Sequence, residues 1–320
     1  VWVDRQGATG YRVGVGAAAL QQKVAAIRET ISTTVNGVQA TYPLDVALAR
    51  SLYVDLFAPV ESRLAGVEHL IFEPDGAMLQ LPVNLLIASQ AGVDAYDKRV
   101  AAKPDTEFDF RGIDWLGRKH SVSTALSARA FRDARNAPAS AAARDYIGFG
   151  ENAPVSAMRT VALTRSASET VGPNCNWSPA EWNKPIAATE LREAAKQVGL
   201  DGSEVLTGKA FTDDAIMART NLNDFRILHF ATHGLVTAPR AQCPARPALL
   251  TSFGNSATSD GLLQFSEIFD LKLDADLVIL SACDTAGKAS REATQSAGLT
   301  GGGGALDGLV RAFIGAGGLG

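Results

Sequence analysis

From residue 190 onward the chain alternates short apolar runs with amphipathic stretches, a rhythm that few architectures accept. The runs 204–206, 226–231, 248–251 and 277–281 read as buried strands, and helical spacing covers 190–198, 212–220 and 265–269 between them. Strands separated by helices in this way predict an α/β fold with a mostly parallel sheet and helices on both faces. Two of the strands run straight into turns of small and polar residues: Arg-Ile-Leu-His-Phe-Ala-Thr-His-Gly, ending at Gly234, and Leu-Val-Ile-Leu-Ser-Ala-Cys-Asp-Thr, ending at Thr285. In a parallel sheet the carboxyl ends of the strands share one edge, and doubly wound folds place their sites along it. These two turns are therefore expected to face each other.

The turns carry reactive groups. Two of the chain's four histidines, His229 and His233, fall within the first, and Cys283 lies in the second. Cysteine attacks as thiolate, and a free thiol with a pKa near about 8.5 is mostly protonated at neutral pH. A neighbouring imidazole supplies the missing activation and later protonates a leaving amine. His233 and Cys283 are thus the candidate catalytic pair. Gly234 lets its backbone N–H approach a reacting carbonyl, so the amides of Gly234 and Cys283 are candidate oxyanion donors. Asp284 reads equally as a cap of the next turn or as a substrate contact. His229, inside the apolar run, reads as a core residue.

Other chemistries fit less well. Zinc would need Cys or carboxylate ligands at short spacing beside the two histidines, and none follows, so neither metal nor cofactor is expected. A serine hydrolase would need a Gly-x-Ser-x-Gly elbow, which is absent. The Gly14-Val-Gly and Gly315-Ala-Gly-Gly stretches lack the strand, helix and acid order of a dinucleotide site and read as turns and caps. Cys175 and Cys243 sit in proline-rich segments and read as incidental thiols.

Composition sets further limits. With 30 basic and 34 acidic residues the net charge is −4, which gives no reason to expect nucleic acid or an anionic membrane as partner. Arg129, Arg132 and Arg135 read as a solvated helix face. No apolar run approaches the length of about 18 residues that a membrane helix needs, and no signal peptide opens the chain, so a cytoplasmic location is expected. Three widely spaced cysteines suit reduced thiols. A start at Val1 and an end at Ala-Gly-Gly-Leu-Gly are expected of a piece of a longer protein. Residues 1–15 read as a β-hairpin, with helices over 17–31 and 43–64. Strands are predicted at 67–72, 121–125 and 146–150. The stretch 136–143 reads as a linker, and 151–185, with Trp177 and Trp182, as an irregular excursion.

Several blocks together resemble one family. His-Phe-Ala-Thr-His-Gly, Asp260-Gly-Leu-Leu-Gln-Phe-Ser-Glu-Ile-Phe and Asp276-Leu-Val-Ile-Leu-Ser-Ala-Cys-Asp-Thr-Ala are similar to the CHAT domains, caspase-like cysteine peptidases often attached to tetratricopeptide repeats. Ile71-Phe-Glu-Pro-Asp-Gly-Ala-Met-Leu-Gln-Leu-Pro, Ile147-Gly-Phe-Gly and Ala305-Leu-Asp-Gly-Leu-Val-Arg-Ala-Phe extend the match in the same order. The separation 283 − 233 = 50 also matches the His-to-Cys spacing of caspases. The resemblance implies a three-layer α/β/α caspase-hemoglobinase fold over 45–320, preceded by a hairpin and helix appendage over 1–44. It implies a cysteine endopeptidase with a His233/Cys283 dyad, a protein or peptide substrate, and a regulatory repeat region in the same full-length protein. The alternative is a catalytically silent CHAT domain acting as an interaction module.

Two departures from the family pattern stand out. Relatives continue past Ala316-Gly-Gly with a further strand and a Trp-Pro turn that form part of the substrate pocket, and many carry an acid where this chain has Gly301 to Gly304. Likeness to Arg-directed separases and gingipains implies a basic residue before the scissile bond, with Asp284 as its candidate partner. Residues 284–304 contain six glycines and one large apolar side chain, Leu299. Little burial offsets the entropy of ordering them, so a mobile gate is expected, with Lys288 and Arg291 as candidate self-cleavage points.

Overall fold

Strands and helices form largely where apolar periodicity places them. The structure, a computed structural model, describes residues 1–31, 33–35, 38–40, 42–125, 127–155, 177–199, 201–235, 247–256, 258–282 and 309–317. They divide into two units, Val1–Phe131 and Arg132–Gly320.

The first unit opens with the predicted hairpin, β1 (Trp2–Asp4) and β2 (Gly7–Thr9), where Gly7 takes the left-handed φ of +126° that the turn requires. Helix α1 (Ala17–Ile31) precedes a second hairpin, β3 (Thr33–Val35) and β4 (Val38–Ala40). Helix α2 (Val46–Phe57) starts at Asp45, whose carboxylate accepts the Leu48 N–H at 2.8 Å. Then come β5 (His69–Phe72), α3 (Gln90–Ala102), α4 (Leu116–Lys119) and β6 (Ser121–Thr124), with β5 and β6 paired in parallel. Val24 and Ile27 of α1 bury in the same cluster as Ala49, Leu52 and Tyr53 of α2 and Ile87 and Leu116 beyond them. Helix α5 (Ala128–Asn136) spans the division.

The second unit is built on β7 (Arg144–Asn152), α6 (Thr189–Val198), β8 (Ser203–Gly208), α7 (Asp213–Met217) and β9 (Phe225–Ala231). It continues through β10 (Gly234–Leu235), β11 (Ala248–Leu250), β12 (Leu262–Gln264), α8 (Phe265–Asp270), β13 (Leu277–Ser281) and α9 (Leu309–Gly315). Strands β13, β9, β7 and β8 form one sheet in that order, every pair parallel. Side chains alternate across it. Ile147, Phe149, Leu228 and Phe230 enter a core shared with Ile216 of α7, Ile268 of α8 and Phe313 of α9. The Phe149 and Phe230 rings stack at 4.9 Å, and Phe313 meets Phe230 at 5.1 Å. On the opposite face Ala231 packs with Ala188 and Leu191 at the start of α6. Helices on both faces of a parallel sheet make the expected three layers.

Among the elements that depart from the sequence reading are two in the second unit. The run 248–251 does not join the parallel sheet; β11 is the middle strand of a separate antiparallel sheet, β10-β11-β12. A parallel return demands a crossover of a dozen or more residues, usually helical. The sequence 236–247 has no helical pattern and holds Pro239, Pro244 and Pro247, so the next apolar run pairs back on β10. Helix α7 ends at Met217 rather than near 220, where Thr220 and Asn221 are poor helix formers.

The stretch 136–143, linker-like in composition, is tied at its centre. The Ser140 N–H donates to Asp276 Oδ1 at 2.8 Å, and the Ala141 N–H donates to Asp274 Oδ2 at 2.9 Å.

Candidate active site

Strand β9 lies between β13 and β7, so its carboxyl end is held from both sides. Ala231 pairs with Ser281 of β13 and with Gly150 of β7. After Ala231 the chain turns out of the parallel sheet. The Thr232 hydroxyl donates to the Leu250 carbonyl at 2.6 Å, and the Leu250 N–H donates to the His233 carbonyl at 2.9 Å. The backbone on each side of His233 is thereby fixed.

The His233 ring is oriented by the main chain. Its Nε2 lies 2.7 Å from the Lys184 carbonyl oxygen. A carbonyl can only accept, so Nε2 carries the proton and Nδ1 of the neutral ring keeps its lone pair. Lys184 follows a short turn, Pro179–Asn183, that is anchored by Trp182. Trp182 is 3% exposed, and its indole N–H donates to the Thr251 carbonyl at 2.9 Å while its ring packs 4.8 Å from that of Phe253. The Asn152 amide at the end of β7 donates to the Trp182 carbonyl at 2.9 Å. The short 3-10 turn Pro179–Asn183 thus delivers one carbonyl to one ring nitrogen.

Gly234 pairs with Leu249 across the antiparallel ladder, and the ladder bond on that side runs from Leu250 to His233. In this alternation Gly234 occupies a non-hydrogen-bonded position. Its N–H points away from β11 and is not spent on that strand.

Below the strand end lies a buried polar chain. His229 is 3% exposed, with Nδ1 at 3.0 Å from the Tyr146 hydroxyl and Nε2 at 3.1 Å from Glu190 Oε1. Glu190 Oε2 accepts the Ser281 hydroxyl at 2.9 Å. The carboxylate only accepts, so Nε2 of His229 is the donor, and Tyr146 donates to Nδ1 when the ring is neutral. Burial holds the His229 imidazole below its ordinary pKa, with Glu190 pulling it back up. Burial, then the Glu190 charge, pushes the Tyr146 phenol up to about 12.

Room for this chain comes from Gly148 and Gly150. A Cβ on Gly148 would lie 2.9 Å from the Tyr146 hydroxyl, and one on Gly150 would collide with the Ala231 carbonyl oxygen. At the end of the same strand Glu151 has φ +50°, the single left-handed non-glycine among the described residues. Its carboxylate accepts the Ala188 N–H at 2.9 Å and meets Arg192 at 3.2 Å. These contacts hold a conformation that usually costs about 1–3 kcal/mol.

His233 and Gly234 stand at the strand end where the sequence places them. Cys283, Asp284, Cys175 and Cys243, and the 284–304 segment with Lys288 and Arg291, lie outside the described residues. Register still bears on Cys283. His233 follows Ala231 by 233 − 231 = 2 residues, Cys283 follows Ser281 by 283 − 281 = 2, and Ala231 and Ser281 are paired. Sequence reasoning missed Glu190, Tyr146 and the Lys184 carbonyl. His229 was a usable clue to the first two, since a ring buried in an apolar run must find hydrogen-bond partners.

Among the described residues no group of three or more His, Cys, Asp or Glu could hold a metal ion, and no helix is long and apolar enough to cross a membrane.

A parallel sheet covered on both faces, with a histidine just past the carboxyl end of an inner strand, fits the three-layer α/β/α architecture of caspase-like proteins. The sequence model of the CHAT domain matches residues 46–318, and the chain belongs to the CHAT domain family, a family of caspase-like peptidases. Comparison with curated proteins finds no match.

Proposed function

We propose that this chain is a cysteine endopeptidase domain in which Cys283 attacks the peptide carbonyl and His233 manages the proton. The observation that carries the reading is the register just described, in which the two residues stand equally far beyond a paired Ala231 and Ser281 on neighbouring parallel strands. Two further features support it. The Lys184 carbonyl holds the proton of His233 on Nε2 and leaves Nδ1 as the basic nitrogen, the state a general base needs. The Gly234 N–H is turned away from β11 and is available to an oxyanion, for which the amide of Cys283 is the proposed second donor. Asp284, directly after the nucleophile, is the proposed partner of a basic residue before the scissile bond. The reaction requires no cofactor: thiolate adds to the carbonyl, His233 protonates the departing amine, and water hydrolyses the resulting thioester.

The substrate is a protein or peptide, and a regulatory region of the full-length protein, of tetratricopeptide type in many relatives, controls access. The peptidase domain spans 45–320, with 1–44 as its appendage.

The test is labelling of the full-length protein by a thiol-directed activity probe, with the modified residue located by peptide mass spectrometry. Label at Cys283, lost in Cys283→Ala and strongly reduced in His233→Ala, is the expected result. Label at Cys175 or Cys243, or indifference to His233→Ala, would overturn it.

A further inference from the structure

Glu190 stands on the first turn of α6 with its side chain 52% exposed, yet each of its carboxylate oxygens is committed inward. One takes the Nε2 proton of His229, four residues before His233 on β9; the other takes the hydroxyl proton of Ser281, two residues before Cys283 on β13. From this geometry we propose that Glu190 is a positioning residue of the cysteine site, clamping the two strands that carry the dyad at the end of their shared ladder. The inference rests on the dyad reading above.

The bond to His229 alone would be explained by the need to satisfy a buried ring. The bond to Ser281 is not, because Ser281 is only half-buried and could be served by water. What the second bond adds is a tie across strands. Ser281 and Ala231 are the last paired residues of β13 and β9, and beyond them no ladder bond between these strands is described. At this end of the ladder the described tie between the two strands is a side chain, Glu190. Glu190 bridges both strands from one rigid turn, and Tyr146 of β7 holds the far side of the His229 ring. The Tyr146 hydroxyl can donate to a neutral imidazole or accept from a charged one, with the Leu191 carbonyl 3.3 Å away to take its proton in the second case. The His229 side of the clamp therefore survives either protonation state of the ring.

The clamp acts through hydrogen bonds, so a neutral isostere should preserve it. In Glu190→Gln the amide oxygen accepts from His229 and the amide N–H donates to the Ser281 oxygen. Glu190→Ala removes both arms, and Ser281→Ala removes one. The readout is the pH dependence of Cys283 alkylation by iodoacetamide in the full chain, followed by peptide mass spectrometry well below each variant's Tm. Loss of fold stability alone does not shift such a profile. Wild type and Glu190→Gln should agree within about threefold. Glu190→Ala should lose about 10- to 100-fold in rate at pH 7, the size expected when a supporting hydrogen bond to a reactive group is removed, and its inflection should move toward the free-thiol value of about 8.5. Ser281→Ala should fall between. An unchanged profile in Glu190→Ala, or in Ser281→Ala should the former not fold, overturns the clamp while leaving the dyad intact; so does equal loss in Glu190→Gln. A wild-type profile indifferent to His233→Ala overturns the dyad, and the clamp with it.

Discussion

At the scale of single residues, this protein puts polar groups where its sheet is driest and pays with glycine. Tyr146→Phe removes the donor to His229 Nδ1 and leaves a buried acceptor unpartnered, so a loss of about 1–3 kcal/mol is expected from denaturant unfolding. Gly150→Ala sets a methyl group against the Ala231 carbonyl and should destabilise by at least as much, since an ordered strand cannot yield cheaply. His229 makes stability depend on pH with a definite sign. Its native pKa lies below the ordinary 6.5, so the unfolded chain binds the proton more readily; its contribution is complete above about 6.5 and declines as pH falls toward the native value. Asp260 and Glu267, both raised chiefly by burial, act oppositely at lower pH, so the comparison that isolates His229 is wild type against His229→Gln. The acid limb between about pH 5 and 7 should flatten in the variant. A limb of unchanged slope would mean that His229 titrates alike in both states.

At the scale of elements, what the sequence discloses depends on how local the cause is. The strands at 144–152, 225–231 and 277–281 and the helix at 189–198 follow from periodicity, and so does the convergence of the strand ends. The switch of 248–250 into an antiparallel sheet is hidden, because an apolar run looks the same in either sheet and only the connection before it decides. The role of 177–188 is hidden more deeply. Trp182 finds its acceptor at Thr251, 69 residues on, and the product of that anchoring is a main-chain carbonyl that no side-chain pattern announces. Trp182→Ala should cost about 3–5 kcal/mol, the usual loss for a buried Trp. It should also slow Cys283 alkylation by freeing His233 from Lys184. Lys184→Ala should do neither, since the carbonyl remains; a Lys184→Ala variant as impaired as Trp182→Ala would place the function in the ammonium group instead.

At the scale of the whole molecule, the described core falls into clusters that respect the division near residue 131. Leu52 and Leu116 lie in the cluster of the first unit, Phe230 and Phe313 in that of the second. Calorimetry should therefore resolve two transitions, with Leu52→Ala lowering one and Phe230→Ala the other, each by the several degrees that about 2–5 kcal/mol implies. A single transition moved equally by both would show that the units melt as one. The parallel sheet carries a consequence of its own for motion. Strand β9 is bonded along both edges, whereas β13 has one neighbour among the described strands and exposes Leu277 at its start. Opening β9 breaks two ladders; opening β13 breaks one. Amides of 226–231 should accordingly exchange with deuterium more slowly than those of 277–281. On the proposed reading His233 follows the strand bonded along both edges and Cys283 the strand bonded along one, so a switch acting through β13 would have a single ladder to open.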